Sequence, residues 1–189
     1  NESTTKVEKD GDGNIILITY PDNSTRKYSY YENGDLMYEI DQMNQQTFYM
    51  YENYEPYQEK GITKYRSRLT RIVKPVESGV VYTSTKLPTD SVLKAGDAVT
   101  RYKYVTGYNK IKGCLIEKIT YPNGTWTTYK YNNNGNLLAT SDKIDLTVSN
   151  DIDAAYKYEY DNCFRVSSVS SPIGYKTEYR YNNTNQITH

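Results

Sequence analysis

The sequence contains one histidine, His189, and this scarcity removes most catalytic classes that depend on an imidazole. A Ser–His or Cys–His nucleophile needs an imidazole base within hydrogen-bonding reach, and histidine-rich metal sites need several. Carboxylates are numerous, but no spacing singles out a pair for glycoside hydrolysis, and no glycine-rich phosphate loop occurs. The sequence therefore predicts a protein that is not an enzyme, with no catalytic residue, no metal ligand and no cofactor.

Excess charge and long apolar runs are also missing. The 189 residues carry 23 Lys and Arg against 23 Asp and Glu. A nucleic-acid partner is therefore not expected, because binding to phosphates depends on a basic excess that displaces counterions. The longest apolar run, Ile15–Ile18, is far shorter than the roughly 20 residues of a membrane helix. Residue 1 is Asn1, so we expect any signal sequence or membrane anchor to lie upstream.

Cysteine is scarce as well. Cys114 and Cys163 are the two cysteines of the chain. They allow one disulfide and do not form a disulfide framework. The sequence leaves open whether these two thiols pair.

Tyrosine is the residue in excess, with 23 Tyr against 2 Phe and 1 Trp. Many occur as Tyr-x-Tyr pairs, followed in the best copies by three residues and Gly-x-Leu. The segment Ile18–Asp41 aligns without a gap on Ile119–Asp142, and ten positions are identical. This agreement indicates an internal repeat. Its first positions are residues 7, 28, 49, 102, 129, 158 and 179, most often 21 residues apart.

The repeat predicts β-hairpins. Tyr-x-Tyr places both rings on one face of a strand, because side chains alternate. Asn33-Gly34 and Asn134-Gly135 are typical of two-residue type I′ turns. Turn signals recur about every 11 residues, which is the rhythm of an antiparallel meander.

We therefore predict an all-β fold, a single domain over residues 1–189. The expected architecture is an antiparallel meander of roughly 12–16 strands, and sheets this wide curl or split. The sheet is expected to be strongly twisted or curled, with a half-open barrel as one form. Loop insertions are expected near 87–98 and 141–155, and the second, acidic and free of Tyr, is expected to be a solvated surface loop.

The repeated rings have two interpretations. Stacked in cross-strand ladders, they would stabilise the sheet; exposed, they would form a platform for sugars. Trp126 occurs once, where the aligned repeat has Thr25, so the fold does not require it. The candidate ligand-binding residues are Trp126, Tyr129 and Tyr131, with Trp126 on the strand face opposite the two tyrosines.

Two acidic segments are considered as metal sites. Asp10–Asn14 has oxygen ligands at alternate positions, as at the start of a calcium loop. Its twelfth position is Pro21, so the bidentate glutamate is missing and a hairpin turn is the preferred prediction. Asp145, Asp151 and Asp153 are interpreted as part of the solvated loop.

Three segments carry a family resemblance. Tyr158–Val166 resembles the YD repeat of RHS and teneurin-type proteins, and so do Tyr129–Leu137 and Tyr28–Leu36. The aspartate that follows the second tyrosine in that motif is present at Asp161. In the family, long arrays of such hairpins form a hollow shell that can enclose a toxin, but seven units are too few to close one. The resemblance therefore implies a strip of β-hairpins, as in short bacterial surface proteins or lipoproteins.

For function, the resemblance implies a non-enzymatic, exported or cell-surface protein. Its expected location is the cell surface, outer membrane or periplasm of a bacterium. The first hypothesis is a hairpin-repeat binding module whose partner is a glycan or another surface protein. The alternative is a structural spacer or assembly segment of the cell envelope with no small ligand.

Overall fold

The structure is a computed structural model that describes residues 4–76, 93–106, 114–149 and 152–188. These residues contain thirteen strands and no α-helix. All strands belong to one antiparallel sheet whose order follows the chain from β1 to β13 without closing into a barrel, which confirms the predicted meander. The strands are β1 (Lys6–Lys9), β2 (Ile15–Thr19), β3 (Thr25–Tyr30), β4 (Leu36–Ile40), β5 (Gln46–Glu59), β6 (Ile62–Lys74), β7 (Ala98–Tyr104), β8 (Ile116–Thr120), β9 (Trp126–Tyr131), β10 (Leu137–Ser141), β11 (Tyr156–Tyr160), β12 (Val166–Ser170) and β13 (Lys176–Glu178).

The chain divides into two compact units, Asn1–Arg101 and Tyr102–His189. The core of the first unit consists of Phe48, Val73 and Val99. These residues are direct cross-strand neighbours on β5, β6 and β7. Phe48 is only 2% exposed, so this row is the most buried part of the unit.

The second unit builds its core with a loop. Ala139 on β10 packs with Leu146 and Ala155, which come from the segment between β10 and β11. All three are less than 5% exposed. The prediction that 141–155 is a solvated surface loop is therefore wrong: Asp142, Lys143 and Asp153 are exposed, but Leu146 and Ala155 are buried against the sheet.

The other predicted insertion, near 87–98, lies largely outside the described residues, which resume at 93. Residues 93–97 form a turn in which the Asp97 N–H donates to the Lys94 carbonyl at 3.1 Å. Ala98 then begins β7.

The turns differ from the type I′ prediction. At the first predicted site the φ of Gly34 is 88°, but Asn33 is not in the left-handed region, and type I′ requires both. The Gly34 N–H donates to the Tyr31 carbonyl at 2.9 Å, and the Tyr31 N–H donates to Asp35 at 2.8 Å. These bonds define a three-residue loop that ends in a left-handed residue. The same bonds close the turns at Asp10–Asn14, Asn132–Asn136, Asp161–Arg165 and Asn182–Gln186, so the prediction at Asn134-Gly135 is wrong too.

Two kinds of hairpin alternate along the sheet. In β3–β4, Tyr30 pairs with Leu36 whereas Ser29 pairs with Tyr38, so Met37 is an extra residue in the ladder. The β1–β2, β9–β10 and β11–β12 hairpins carry the same bulge. The β2–β3, β4–β5, β8–β9 and β12–β13 hairpins keep a continuous register. One repeat is therefore one bulged hairpin followed by one regular hairpin.

The tyrosine pairs and the buried core occupy opposite faces of the sheet. Phe48 belongs to the core, so the adjacent Tyr49 points to the other face. Across the strands, Tyr28 pairs with Glu39 and not with another repeated ring. The pairs lie on alternate strands, which places the rings of successive units about 10 Å apart. The tyrosine pairs therefore share one face of the sheet, as predicted, but an intervening strand separates the rings of successive units, so the repeated rings are not direct cross-strand partners.

Candidate functional site

The hydroxyl of the second tyrosine in a pair has a defined partner. Tyr131 donates to the carbonyl of Ile116 at 2.9 Å, 15 residues earlier in the chain. Ile116 begins β8 and Tyr131 ends β9, so the bond fastens the open end of a regular hairpin. We call this bond the tyrosine clamp. It recurs as Tyr30 to Ile15 at 2.9 Å, Tyr160 to Leu137 at 2.8 Å and Tyr181 to Val166 at 2.8 Å.

The clamp compensates for the bulge. Ile15, Leu137 and Val166 each directly precede the extra residue of a bulged hairpin. A bulge interrupts the ladder, and a carbonyl that loses its partner there needs another donor. The tyrosine hydroxyl supplies that donor. Sequence reasoning missed this role because it expected the hydroxyls to stay hydrated, although three of the four bonds join residues 15 positions apart.

The three predicted ligand-binding residues all lie on β9. Trp126 begins the strand and shares its face with Thr128, whereas Tyr129 and Tyr131 occupy the opposite face. Burial raises the pKa of both Tyr129 and Tyr131, and the Tyr131 hydroxyl already makes the clamp. The structure therefore divides these residues between two faces, and carbohydrate binding by them stays a prediction.

Trp126 is covered by a lysine. The Lys118 ammonium lies 4.8 Å from the centre of the indole ring, a distance at which a cation is attracted to an aromatic face. The same ammonium donates to the Asp145 carboxylate at 2.5 Å. Hydrogen bonds from Lys118 and Thr147 lower the pKa of Asp145 to about 2. Asp145, on the loop between β10 and β11, thus holds Lys118 against the ring.

This arrangement predicts an acid transition that the only tryptophan of the chain can report. Because the folded-state pKa of Asp145 is lowered, the ion pair stabilises the loop fully above pH 3.8 and is lost as the pH falls towards about 2. We expect the emission of Trp126 to change over that interval. The measurement is a fluorescence titration from about pH 5 downward, with far-UV circular dichroism to follow the strands.

Two variants complete this titration. Asp145→Asn is expected to show the altered emission already at neutral pH. Asp153→Asn is the matched control. Asp153 lies on the same loop as Asp145 and pairs with Lys157 of β11, and the Asp153 side chain is 87% exposed. Emission that stays constant down to about pH 2 in the native chain would contradict the assignment.

A buried threonine fixes the same loop to the sheet. Thr128 is fully buried. Its hydroxyl donates to the Ile144 carbonyl at 2.9 Å and accepts the Leu146 N–H at 3.2 Å. The loop therefore covers the Trp126 face of β9 through a specific polar contact as well as through its aliphatic side chains.

An open cavity of about 590 Å³ lies in the first unit between the turns at 10–14 and 31–34. The rings of Tyr28 and Tyr30 line it, together with the carboxylates of the turns. The Asp10 carboxylate accepts the N–H groups of Asp12 and Asn14 at 3.0 and 2.8 Å. Asp10 therefore caps its own turn, which confirms the turn predicted for Asp10–Asn14.

The remaining candidates from the sequence are a metal site, a disulfide, the acidic loop and a membrane helix. Within the described ranges, no three or more His, Cys, Asp or Glu residues cluster as metal ligands. Cys114 and Cys163 are both exposed and are not joined by a disulfide. Asp151, predicted to lie in the acidic loop, is outside the described residues. No helix in the part of the chain that the structure describes is long and apolar enough to cross a membrane.

Comparisons with known proteins extend this description. No family profile matches the chain, and no curated protein matches it. A crystal structure of TcdB2-TccC3-TEV is similar, with a TM-score of 0.57 and 12% identity over 93% of this chain and 8% of that one. A structure of the Photorhabdus luminescens Tc holotoxin pore aligns with a TM-score of 0.24 and 11% identity over 97% and 12% of the two chains. This chain thus spans less than a tenth of the first of these proteins, and it shares with that Tc toxin structure a fold that agrees with the hairpin strip implied by the YD-repeat resemblance.

Proposed function

We propose that the chain is a non-catalytic structural segment, a strip of clamped β-hairpins that acts as a spacer or assembly piece in an exported or cell-surface protein. The tyrosine clamp carries the proposal. Four copies of the bond occur, three across regular hairpins and one across β10 and β11, and in each the recurring tyrosine of the repeat closes one strand onto the next.

The fold likeness supports the same proposal. The similar Tc toxin structure is much longer than this chain, which corresponds to 8% of it. A strip of hairpins inside a large assembly is suited to setting the shape of that assembly and the distance between its parts. The exported setting rests on the YD-repeat resemblance, and labelling of intact source cells with an impermeant reagent tests it.

Carbohydrate binding is the competing proposal. Its candidates on the tyrosine face are Tyr129 and Tyr131, and its candidate on the other face is Trp126, against which Lys118 is packed. A glycan array probed with the native chain separates the two proposals. A sugar that binds the native chain and is lost on Trp126→Ala or Tyr129→Ala would replace the structural proposal with the binding one.

The structural proposal predicts a stability effect without a binding effect for Tyr131→Phe. This variant keeps the ring but removes the hydroxyl, which leaves the partly buried Ile116 carbonyl without its donor. We expect the free energy of unfolding to fall by about 1 kcal/mol, measured by urea denaturation.

Tyr121→Phe is the matched control for that variant. Tyr121 lies in a turn of the same unit and is 38% exposed, so water can solvate its hydroxyl. We expect this control to unfold like the native chain. Equal stability of Tyr131→Phe and the native chain would remove the observation on which the proposal rests.

A further inference from the structure

The β5–β6 hairpin extends beyond its neighbouring strands. In the described residues, β4 pairs with β5 from Gln46 to Phe48, and β7 pairs with β6 from Arg71 to Lys74. Beyond them β5 and β6 pair with each other as far as their turn. Residues 56–66 are all exposed, and we call them the arm. The arm is a two-stranded ribbon with both outer edges open to solvent.

The turn of the arm fixes its hydrogen-bonding phase. Lys60 and Gly61 have φ values of 51° and 79°, so the arm has the type I′ turn that requires both residues in the left-handed region. The flanking residues Glu59 and Ile62 are cross-strand partners, and a two-residue turn closes on a hydrogen-bonded pair. Hydrogen-bonded and non-hydrogen-bonded pairs alternate from there.

This phase makes the two edges of the arm unequal. Pro56 and Tyr65 are partners in the fourth pair counted from the turn. They therefore form a non-hydrogen-bonded pair whose backbone groups point outward. On the β5 edge, Pro56 has no N–H to offer an incoming strand, a common protection of edge strands. On the β6 edge, Thr63 and Tyr65 both present an outward N–H and C=O. The β6 edge therefore offers two consecutive outward donors, whereas the β5 edge offers the Gln58 N–H and lacks one at Pro56.

The charges of the arm determine which kind of incoming strand it favours. Lys64 and Arg66 alternate with Thr63 and Tyr65 along β6. Lys64 forms an ion pair with Glu59 and Arg66 lies 3.7 Å from the Glu55 carboxylate, yet the two basic side chains remain 52% and 63% exposed. Together with Lys60 they are three cations against the two carboxylates that pair with them, Glu59 in the arm and Glu55 beside it. Opposite charges directly across a strand pair are favourable, so an incoming strand gains most if it is acidic at alternate positions.

We propose that the β6 edge of the arm binds an extended acidic peptide segment as an added β-strand. Backbone groups of Thr63 and Tyr65 supply the hydrogen bonds, as in other cases of strand addition. Lys64 and Arg66 supply the charge preference. The Tyr65 ring, 51% exposed, supplies apolar contact on the other face. This surface goes beyond the proposed structural role because it gives the spacer a specific partner.

The test uses the full chain and a capped synthetic peptide of alternating glutamate and threonine. We expect calorimetry to detect binding that weakens as salt is added, because the charges are exposed. Thr63→Pro removes one outward backbone donor; it also removes the hydrogen bond from the Gln58 side chain to the Thr63 hydroxyl, which Gln58→Pro removes as well. It should weaken binding about fivefold, the effect of one hydrogen bond. Gln58→Pro places the same change on the β5 edge and should leave binding intact.

Peptide controls keep the test decisive if Thr63→Pro disturbs the arm. A peptide N-methylated at alternate residues cannot pair as a strand, and a peptide with lysine for glutamate reverses the charge. Both should fail to bind, and Lys64→Gln with Arg66→Gln should weaken the acidic peptide. No binding of the acidic peptide, equal binding of the N-methylated or lysine peptide, or equal losses in Thr63→Pro and Gln58→Pro would overturn the proposal. None of these results alters the clamp measurements, so the structural proposal fails or stands separately.

Discussion

Phe48→Ala should destabilise the chain by about 3–5 kcal/mol, the largest effect that we expect from one substitution. Phe48 is 2% exposed and sits in a row with Val73 and Val99. Its ring also lies 5.7 Å from the ring of Tyr38. Truncation removes the buried ring and leaves a cavity between the strands that carry Phe48, Val73 and Val99. The measurement is the free energy of unfolding from urea denaturation followed by circular dichroism.

The chain offers a matched control, because it has two phenylalanines. Phe164 is 64% exposed in a turn, so Phe164→Ala removes the same atoms without opening a buried cavity. We expect it to change stability by well under about 1 kcal/mol. Similar losses in the two variants would show that the row of Phe48, Val73 and Val99 is not the core of the first unit.

Thr128→Val should cost about 2–3 kcal/mol, the second largest effect. The substitution preserves shape but leaves the Ile144 carbonyl and the Leu146 N–H without their buried partner, and each unsatisfied group costs about 1–3 kcal/mol. The loop should loosen from β9, so the emission of Trp126 should change together with the unfolding midpoint.

Thr127→Val is the control for this variant. Thr127 is the adjacent residue on β9 and lies on the opposite, partly exposed face. It should leave both the stability and the emission spectrum close to native. A Thr128→Val chain that unfolds like the native chain would show that the loop is held by its aliphatic contacts alone.

The sequence was informative where a local rule decides the structure. The period-two spacing of Tyr28 and Tyr30 predicted strands, and the recurring turn signals predicted a meander in chain order. It was misleading at Asn33-Gly34, where the chain forms the three-residue loop that also closes the regular hairpins, as at Tyr20–Ser24 and Tyr121–Thr125. The one type I′ turn identified here, at Lys60-Gly61, was not predicted, because lysine is an uncommon residue at the first position of such a turn.

The candidate site at Trp126 was likewise predicted only in part. Sequence position alone placed Trp126 opposite Tyr129 and Tyr131 on their strand. It could not show that Lys118 and Asp145, 27 residues apart, meet at the indole ring, because that contact depends on how the loop after β10 folds back. The acidic composition of the loop suggested solvation, whereas burial of Leu146 and Ala155 decided its position.

The sequence by itself determined the repeat, the all-β class and the spacing of the turns, because each follows from residues that are close in the chain. The tertiary structure alone decided which face of the sheet is buried, which carbonyls the tyrosine hydroxyls bind and how far β5 and β6 extend. Those features depend on register between strands, and a bulge of one residue changes the register without leaving a distinct mark in the sequence.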